Sequence, residues 1–203
     1  MTTPVKIYYW PIKARSYATM AVLQAGNVPM DWEKNPDLAS LKASSLPFGQ
    51  LPFIEHGDVK IAQSGAILRY AGGLAGTSGG SGKPFAVSEM LIAEAEDLFN
   101  MMGKANYSAD KATAYTELFA ANGAFAAQCA FLEKLIPDGE TFFLPGPVRS
   151  TGGYAIAATL DLAVGLEPTI LDATPKLKTF YQTMLASSAF DGIRDLPMYF
   201  SRA

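Results

Sequence analysis

The chain has one cysteine, Cys129, and one histidine, His56, among 203 residues. A lone cysteine excludes internal disulfides and multi-cysteine zinc sites. The lack of any C-x-x-C pair excludes thioredoxin-type disulfide exchange. A lone histidine excludes the His-pair zinc motifs; His56, in E-H-G-D, reads as a polar turn residue. Cys129 lies among Ala and Phe on a predicted helix and reads as a packed thiol rather than a nucleophile. One-sided charge is also missing. With 16 basic and 19 acidic residues, the net charge is −3, and no basic run suggests nucleic acid or an anionic membrane. No apolar run approaches the roughly 20 residues of a membrane span. The start, MTTPVKIYYW, lacks the charged-then-apolar layout of a signal peptide. A cytoplasmic protein without a metal is the expectation, its chemistry carried by Tyr, Ser, Lys, Arg or carboxylates. With 49% hydrophobic residues, there is enough apolar material for one large core or two small ones.

The most informative stretch is SLKASSLPFGQLPFIEHGDVKIAQS, residues 40–64. A strand-forming segment is entered through Leu51-Pro52, turns at Gly57-Asp58 and returns to Gln63-Ser64 at a helix start. Proline at a strand opening removes a backbone donor where a ligand could dock, and it is a candidate cis bond. A helix start offers free N–H groups and the positive end of the helix dipole, which suits a carboxylate. A strand edge beside an anion site fits a small extended peptide with a charged end.

Around this segment the chain divides in two. Residues 4–74 alternate strand and helix signals: a strand over Val5–Trp10, a helix over 14–25 stopped by Gly26, a strand over Val28–Trp32, a helix over Leu38–Ser45, a hairpin of Pro52–Glu55 and Val59–Ala62, and a helix from Ser64 that stops at Gly72-Gly73. The order is β-α-β-α-β-β-α. A Gly/Ser-rich linker covers 75–84, within GGLAGTSGGSGKP. Beyond it no strand pattern recurs, and residues 85–108, 110–136, 154–165 and 175–188 read as helices. The expected domains are 1–74, α/β, and 85–203, all-α.

That order, with its Pro-opened third strand, resembles a thioredoxin-like domain. Followed by an all-helical half, it resembles the cytosolic glutathione transferases. SLKASSLPFGQLP and QSGAILRY are similar to the pi and sigma classes. The resemblance implies a homodimeric enzyme with glutathione as co-substrate, attacking a hydrophobic electrophile. It leaves open a non-catalytic ligand-binding or structural relative, or a sigma-type glutathione-dependent isomerase.

Carried over residue by residue, the resemblance makes Tyr9 the catalytic residue, donating its O–H to the glutathione sulfur. Y-W-P-I-K-A-R matches the family pattern, and Tyr8 falls on the other strand face. The thiolate is the nucleophile, yet a thiol with a pKa of about 8.5 is only ~3% ionised at pH 7. Lowering that pKa by ~2 units needs about 2.7 kcal/mol. One hydrogen bond to a charged group contributes ~1.5–3 kcal/mol. For glutathione binding the resemblance implies Arg15, Lys42, Gln50, Leu51, Pro52, Gln63 and Ser64, with Asp97 coming from the partner subunit. Trp10, Ile12, Met101 and Tyr107 fall at electrophile-pocket places, and Phe48 and Arg69 at the dimer interface. Two positions depart from the pattern. Pro36 stands where the pi class has a tryptophan toward the glycyl end of glutathione. Gly153 stands where a Ser/Thr-x-x-Asp capping box has its carboxylate, so either Ser150 caps without it, with stability recovered elsewhere, or the helix starts differently.

Overall fold

The computed structural model describes residues 3–202. Its first part is a four-stranded sheet with order β2-β1-β3-β4, made from β1 (Val5–Tyr8), β2 (Met30–Glu33), β3 (Phe53–His56) and β4 (Val59–Ala62). β1 and β2 run parallel, as the intervening helix α1 (Tyr17–Ala25) requires. β1–β3 and β3–β4 are antiparallel, with Tyr8 opposite Phe53 and Phe53 opposite Ala62. Helices α2 (Leu38–Ser44) and α3 (Ser64–Leu74) complete the expected β-α-β-α-β-β-α order. Alternation decides which face each β1 side chain serves. Val5 and Ile7 are fully buried beneath α1 and α3, while Tyr8 lies on the other face, its hydroxyl donating to Glu55 at 2.7 Å.

The rest is helical: α4 (Gly82–Asn106), α5 (Lys111–Phe119), α6 (Ala124–Leu135), α7 (Thr151–Leu166) and α8 (Pro175–Leu185), then a 3₁₀ turn at Ser188–Phe190. α7 is the centre, with thirteen of its sixteen residues buried, and it packs chiefly on α4 and α1. Small side chains permit that approach. A Cβ on Gly152 would lie 2.2 Å from the Ser88 carbonyl oxygen, and the Gly152 N–H instead reaches the Ser88 hydroxyl at 3.0 Å.

Several element ends differ from the sequence reading. The helix expected over 110–136 breaks between Phe119 and Ala124. Asn122-Gly123 turns the chain, and a Cβ on Gly123 would lie 2.5 Å from the Glu117 carbonyl oxygen, so only glycine fits. Phe119 and Phe125 then pack ring to ring at 5.1 Å across the bend. α3 runs through Gly72-Gly73 to Leu74, because Gly72 is in the helix for its close contact with Thr151 rather than to end it. α4 starts at Gly82 and α7 at Thr151, each three residues earlier than expected. At α7 the Ser150 hydroxyl accepts the Gly153 N–H at 3.1 Å, so capping persists without a carboxylate at Gly153. Among the described residues, no helix is long and apolar enough to cross a membrane, and no group of three or more His, Cys, Asp or Glu is placed to hold a metal ion.

Candidate active site

A polar cavity of about 560 Å³ opens where the loop after β1, the starts of α2 and α3, and α4 meet the segment that leads into β3. Its lining includes Trp10, Arg15, Gln50, Leu51, Pro52, Gln63 and Ser64 from the expected set. The Leu51–Pro52 peptide is cis. The expected strand edge is in fact a ladder end. β3 is an interior strand, and its pairing with both neighbours stops at Phe53. The backbone at Leu51 therefore lies beyond the ladder, where an extended peptide can pair with it.

Across the cavity, α3 begins without a side-chain cap. Gln63 occupies the cap position at φ 73° and ψ 114°, and the first helical bond runs from Ile67 N–H to the Gln63 carbonyl. Ser64 is thus the first helical residue rather than the cap. The N–H groups of the first turn face a polar space with the positive helix end behind them, an arrangement suited to a carboxylate.

Tyr9 follows β1 directly and is 5% exposed. Its backbone is fixed at the end of β2, with its N–H on the Glu33 carbonyl at 3.2 Å and its carbonyl receiving the Trp32 indole N–H at 2.8 Å. Its hydroxyl oxygen accepts the Arg15 backbone N–H at 3.3 Å. An oxygen that accepts this way leaves its own proton to be donated elsewhere. Burial pushes the Tyr9 phenol above its ordinary value of 10.0, so it stays protonated at neutral pH.

Arg15 joins the two parts of the molecule. Its guanidinium lies over the Phe99 ring at 4.6 Å and donates to the Asn100 side-chain oxygen at 3.3 Å. Lys42, in the last turn of α2, folds toward Gly49 on the cavity wall; a Cβ there would lie 3.8 Å from its Cε. Trp32 does not replace the missing tryptophan at Pro36, because its indole is committed to Tyr9. Asp97 is exposed on α4 and does not line this chain's cavity.

Of the expected electrophile pocket, Trp10 is 40% exposed and packs on Tyr9 at 5.6 Å. Ile12 and Met101 are half-buried against the core and do not line the polar cavity. Tyr107 is exposed, and its hydroxyl is hydrogen-bonded to that of Tyr199. Of the expected dimer residues, Phe48 is 64% exposed, and Arg69 pairs with Glu89 at 2.6 Å. Cys129 is buried, its thiol pushed up to about 12 by burial, as a packed rather than a reactive cysteine is.

The sequence reading missed Leu38, Gly49, Glu96 and Asn100 of the cavity, and Tyr199. Glu96 and Asn100 stand four residues apart on one α4 face, a spacing that could have flagged both. Tyr199 follows the last helix in coil, and no local signal marks it.

Residues 3–72 match the family model described as the N-terminal domain of glutathione S-transferase. A glutathione S-transferase of Dirofilaria immitis is 30% identical over 184 residues, 88% of this chain and 86% of that protein. Human glutathione S-transferase P is 28% identical, the match covering 97% of this chain and 94% of the human protein. A solved pi-class glutathione S-transferase of Onchocerca volvulus superposes with a TM-score of 0.79 at 28% identity, covering 90% of this chain and 88% of that one.

Proposed function

The chain belongs to the glutathione S-transferases, and from that premise we propose that it joins the sulfur of glutathione to hydrophobic electrophiles, with Tyr9 as the thiolate-stabilising residue. The observation that carries the reading is the Tyr9 hydroxyl: buried, held protonated, and accepting from Arg15 so that its own proton is free for a sulfur anion. Such a charge-assisted bond contributes ~1.5–3 kcal/mol, which matches the roughly 2.7 kcal/mol needed to bring the thiol pKa near 6.5.

Glutathione lies along the cavity in this reading. Its cysteinyl part pairs with the Leu51 backbone beside Pro52 and Gln50. Its γ-glutamyl carboxylate sits at the α3 start on Gln63 and Ser64. Its glycyl end reaches Lys42, with Arg15 near the sulfur side. The partner subunit's Asp97 meets the γ-glutamyl amine in a homodimer, with Phe48 and Arg69 at the interface. The electrophile enters past Trp10, Ile12, Met101 and Tyr107. The protein's share of the catalysis is proton placement, orientation and exclusion of water from the sulfur.

The test is conjugation of glutathione to an aryl halide from pH 5.5 to 9, for wild type and Tyr9→Phe. Wild type is expected to show an apparent pKa about 2 units below that of the free thiol. The phenylalanine variant is expected to lose about 10–100-fold in rate at pH 6.5, with its profile moved up. Tight glutathione binding without turnover would favour a ligand-carrying role instead.

A further inference from the structure

Three donors from two segments far apart in sequence converge on one carboxylate. Asp161, midway along α7, accepts from Lys13 Nζ at 3.0 Å, from the Tyr17 hydroxyl at 3.0 Å and from the Tyr181 hydroxyl at 3.1 Å. The Lys13 and Asp161 side chains are only 12% and 13% exposed. Burial and the adjacent carboxylate push both phenols well up, so both are permanent donors at neutral pH.

Lys13 has a second attachment through its backbone. Its N–H donates to the Pro197 carbonyl at 2.8 Å, and its carbonyl accepts the Tyr199 N–H at 3.1 Å, forming a parallel bridge with Met198. The strap 196–202 is thereby hung on the loop that carries Tyr9. Further along the strap, Met198 fills the space above Gly165, where a Cβ would lie 2.3 Å from its sulfur. Phe200 is buried against Phe99 at 4.9 Å, and Arg202 pairs with Glu167 at 2.9 Å. The Tyr199 hydroxyl closes onto that of Tyr107, on the expected electrophile side.

The loop from Tyr9 to Arg15 therefore has two fixed points. At Tyr9 it is held by Trp32 and Glu33; at Lys13 it is held by Asp161. Two residues beyond Lys13 comes the Arg15 N–H that donates to the Tyr9 oxygen. Tyr17 and Tyr181 already bridge α7 to α1 and α8. A lysine taken out of water adds a desolvation cost to that bridge, and what it gains is a fixed loop.

We propose that Asp161 is a positioning residue of the transferase site: by clamping Lys13 it sets the Arg15 N–H on Tyr9 and holds the strap 196–202, with Tyr199, as the outer wall of the electrophile pocket. The placement of Asp161 stands on geometry alone, and its catalytic meaning rests on the transferase reading above.

Hydrogen exchange tests the clamp without needing turnover. The amides of Lys13 and Tyr199 report the bridge, and Leu132 in α6 reports a distant control. In Lys13→Met and Asp161→Asn the two bridge amides are expected to exchange about tenfold faster or more, with Leu132 unchanged, since local openings are independent of global unfolding. Lys13→Arg, which keeps the charge and reach, is expected to restore wild-type exchange. In turnover, both clamp variants are expected to lower kcat and to raise the electrophile KM more than the glutathione KM. Asp161→Asn leaves a largely buried ammonium without its anion and can unfold the chain; Lys13→Met removes that ammonium and keeps the apolar stem. A Lys13→Met protein with wild-type exchange at both bridge amides and an unaltered electrophile KM, showing only a lower Tm, would overturn the proposal. Absence of turnover in wild type would refute the transferase reading separately, with the exchange result still deciding the clamp.

Discussion

Gln63 holds a backbone conformation that side-chain-bearing residues rarely adopt, at φ 73° and ψ 114°. Such strain costs about 1–3 kcal/mol and is kept where the surrounding structure imposes it. Here it turns the chain out of β4 into α3, leaving the first-turn N–H groups free beside the cavity. Gln63→Gly should relieve the strain, offset by ~0.5–1 kcal/mol for the freer unfolded chain. A net gain of about 0–2 kcal/mol in urea unfolding is expected, together with weaker glutathione binding by calorimetry. A clear loss of stability would mean that the side chain, not the strain, dominates at this position. The sequence signals at this scale were uneven. Tyr9 was singled out by the resemblance of Y-W-P-I-K-A-R to the family pattern, strand alternation serving only to set Tyr8 aside, and the two hydroxyls do lie apart: one meets Arg15, the other Glu55. The strain at Gln63 was not readable, since no local pattern assigns a positive φ to glutamine.

The element scale is best seen at the start of α7, where two adjacent glycines do opposite things. Gly152 is a contact point, and a methyl there would sit 2.2 Å from the Ser88 carbonyl and 2.7 Å from Leu91 Cβ. Gly153 has room, its nearest neighbours being the Ser150 hydroxyl at 3.5 Å and the Phe180 ring at 3.9 Å. Gly152→Ala is expected to cost about 1–3 kcal/mol or more, since α4 and α7 would have to separate. Gly153→Ala is expected to gain about 0.5–1 kcal/mol, the ordinary advantage of alanine in a helix. Denaturant unfolding of the two variants side by side checks both signs, and equal effects would contradict the packing account. Periodicity could find these helices but not their joints. The bend after Phe119 depends on Gly123 against the Glu117 carbonyl, and the run of α3 past Gly72 depends on Thr151 of α7. The second is a contact between distant segments, so reading the glycines as local stop signals failed at Gly72. It missed the real break at Gly123, where apolar residues continue on both sides.

For the whole molecule, order and layers were legible because each strand and helix carries its own period, whereas the strap 196–202 was not. It gains its place only through Lys13, Phe99 and Glu167. Assembly is the remaining whole-molecule question, and Phe48 bears on it most directly. A phenylalanine 64% exposed, between Pro47 and Gly49 on a loop, has no partner in its own core worth its apolar area. Burying it in a partner would contribute about 1.5–3 kcal/mol, and a two-fold dimer buries two copies, so ~3–6 kcal/mol is at stake. At about 1.4 kcal/mol per tenfold, Phe48→Ser should raise the dimer dissociation constant by roughly 10²–10⁴. Sedimentation velocity across micromolar concentrations is expected to show a dimer for wild type and a growing monomer fraction for the variant. If the partner subunit's Asp97 completes the glutathione site, glutathione affinity must fall as the variant dissociates. Asp97→Asn supplies the control. It should stay dimeric yet weaken glutathione binding about tenfold or more, through loss of one charge-assisted hydrogen bond. A Phe48→Ser monomer that binds glutathione as tightly as the wild-type dimer would show that the site is complete within one chain, and would leave Asp97 as a solvated charge on α4.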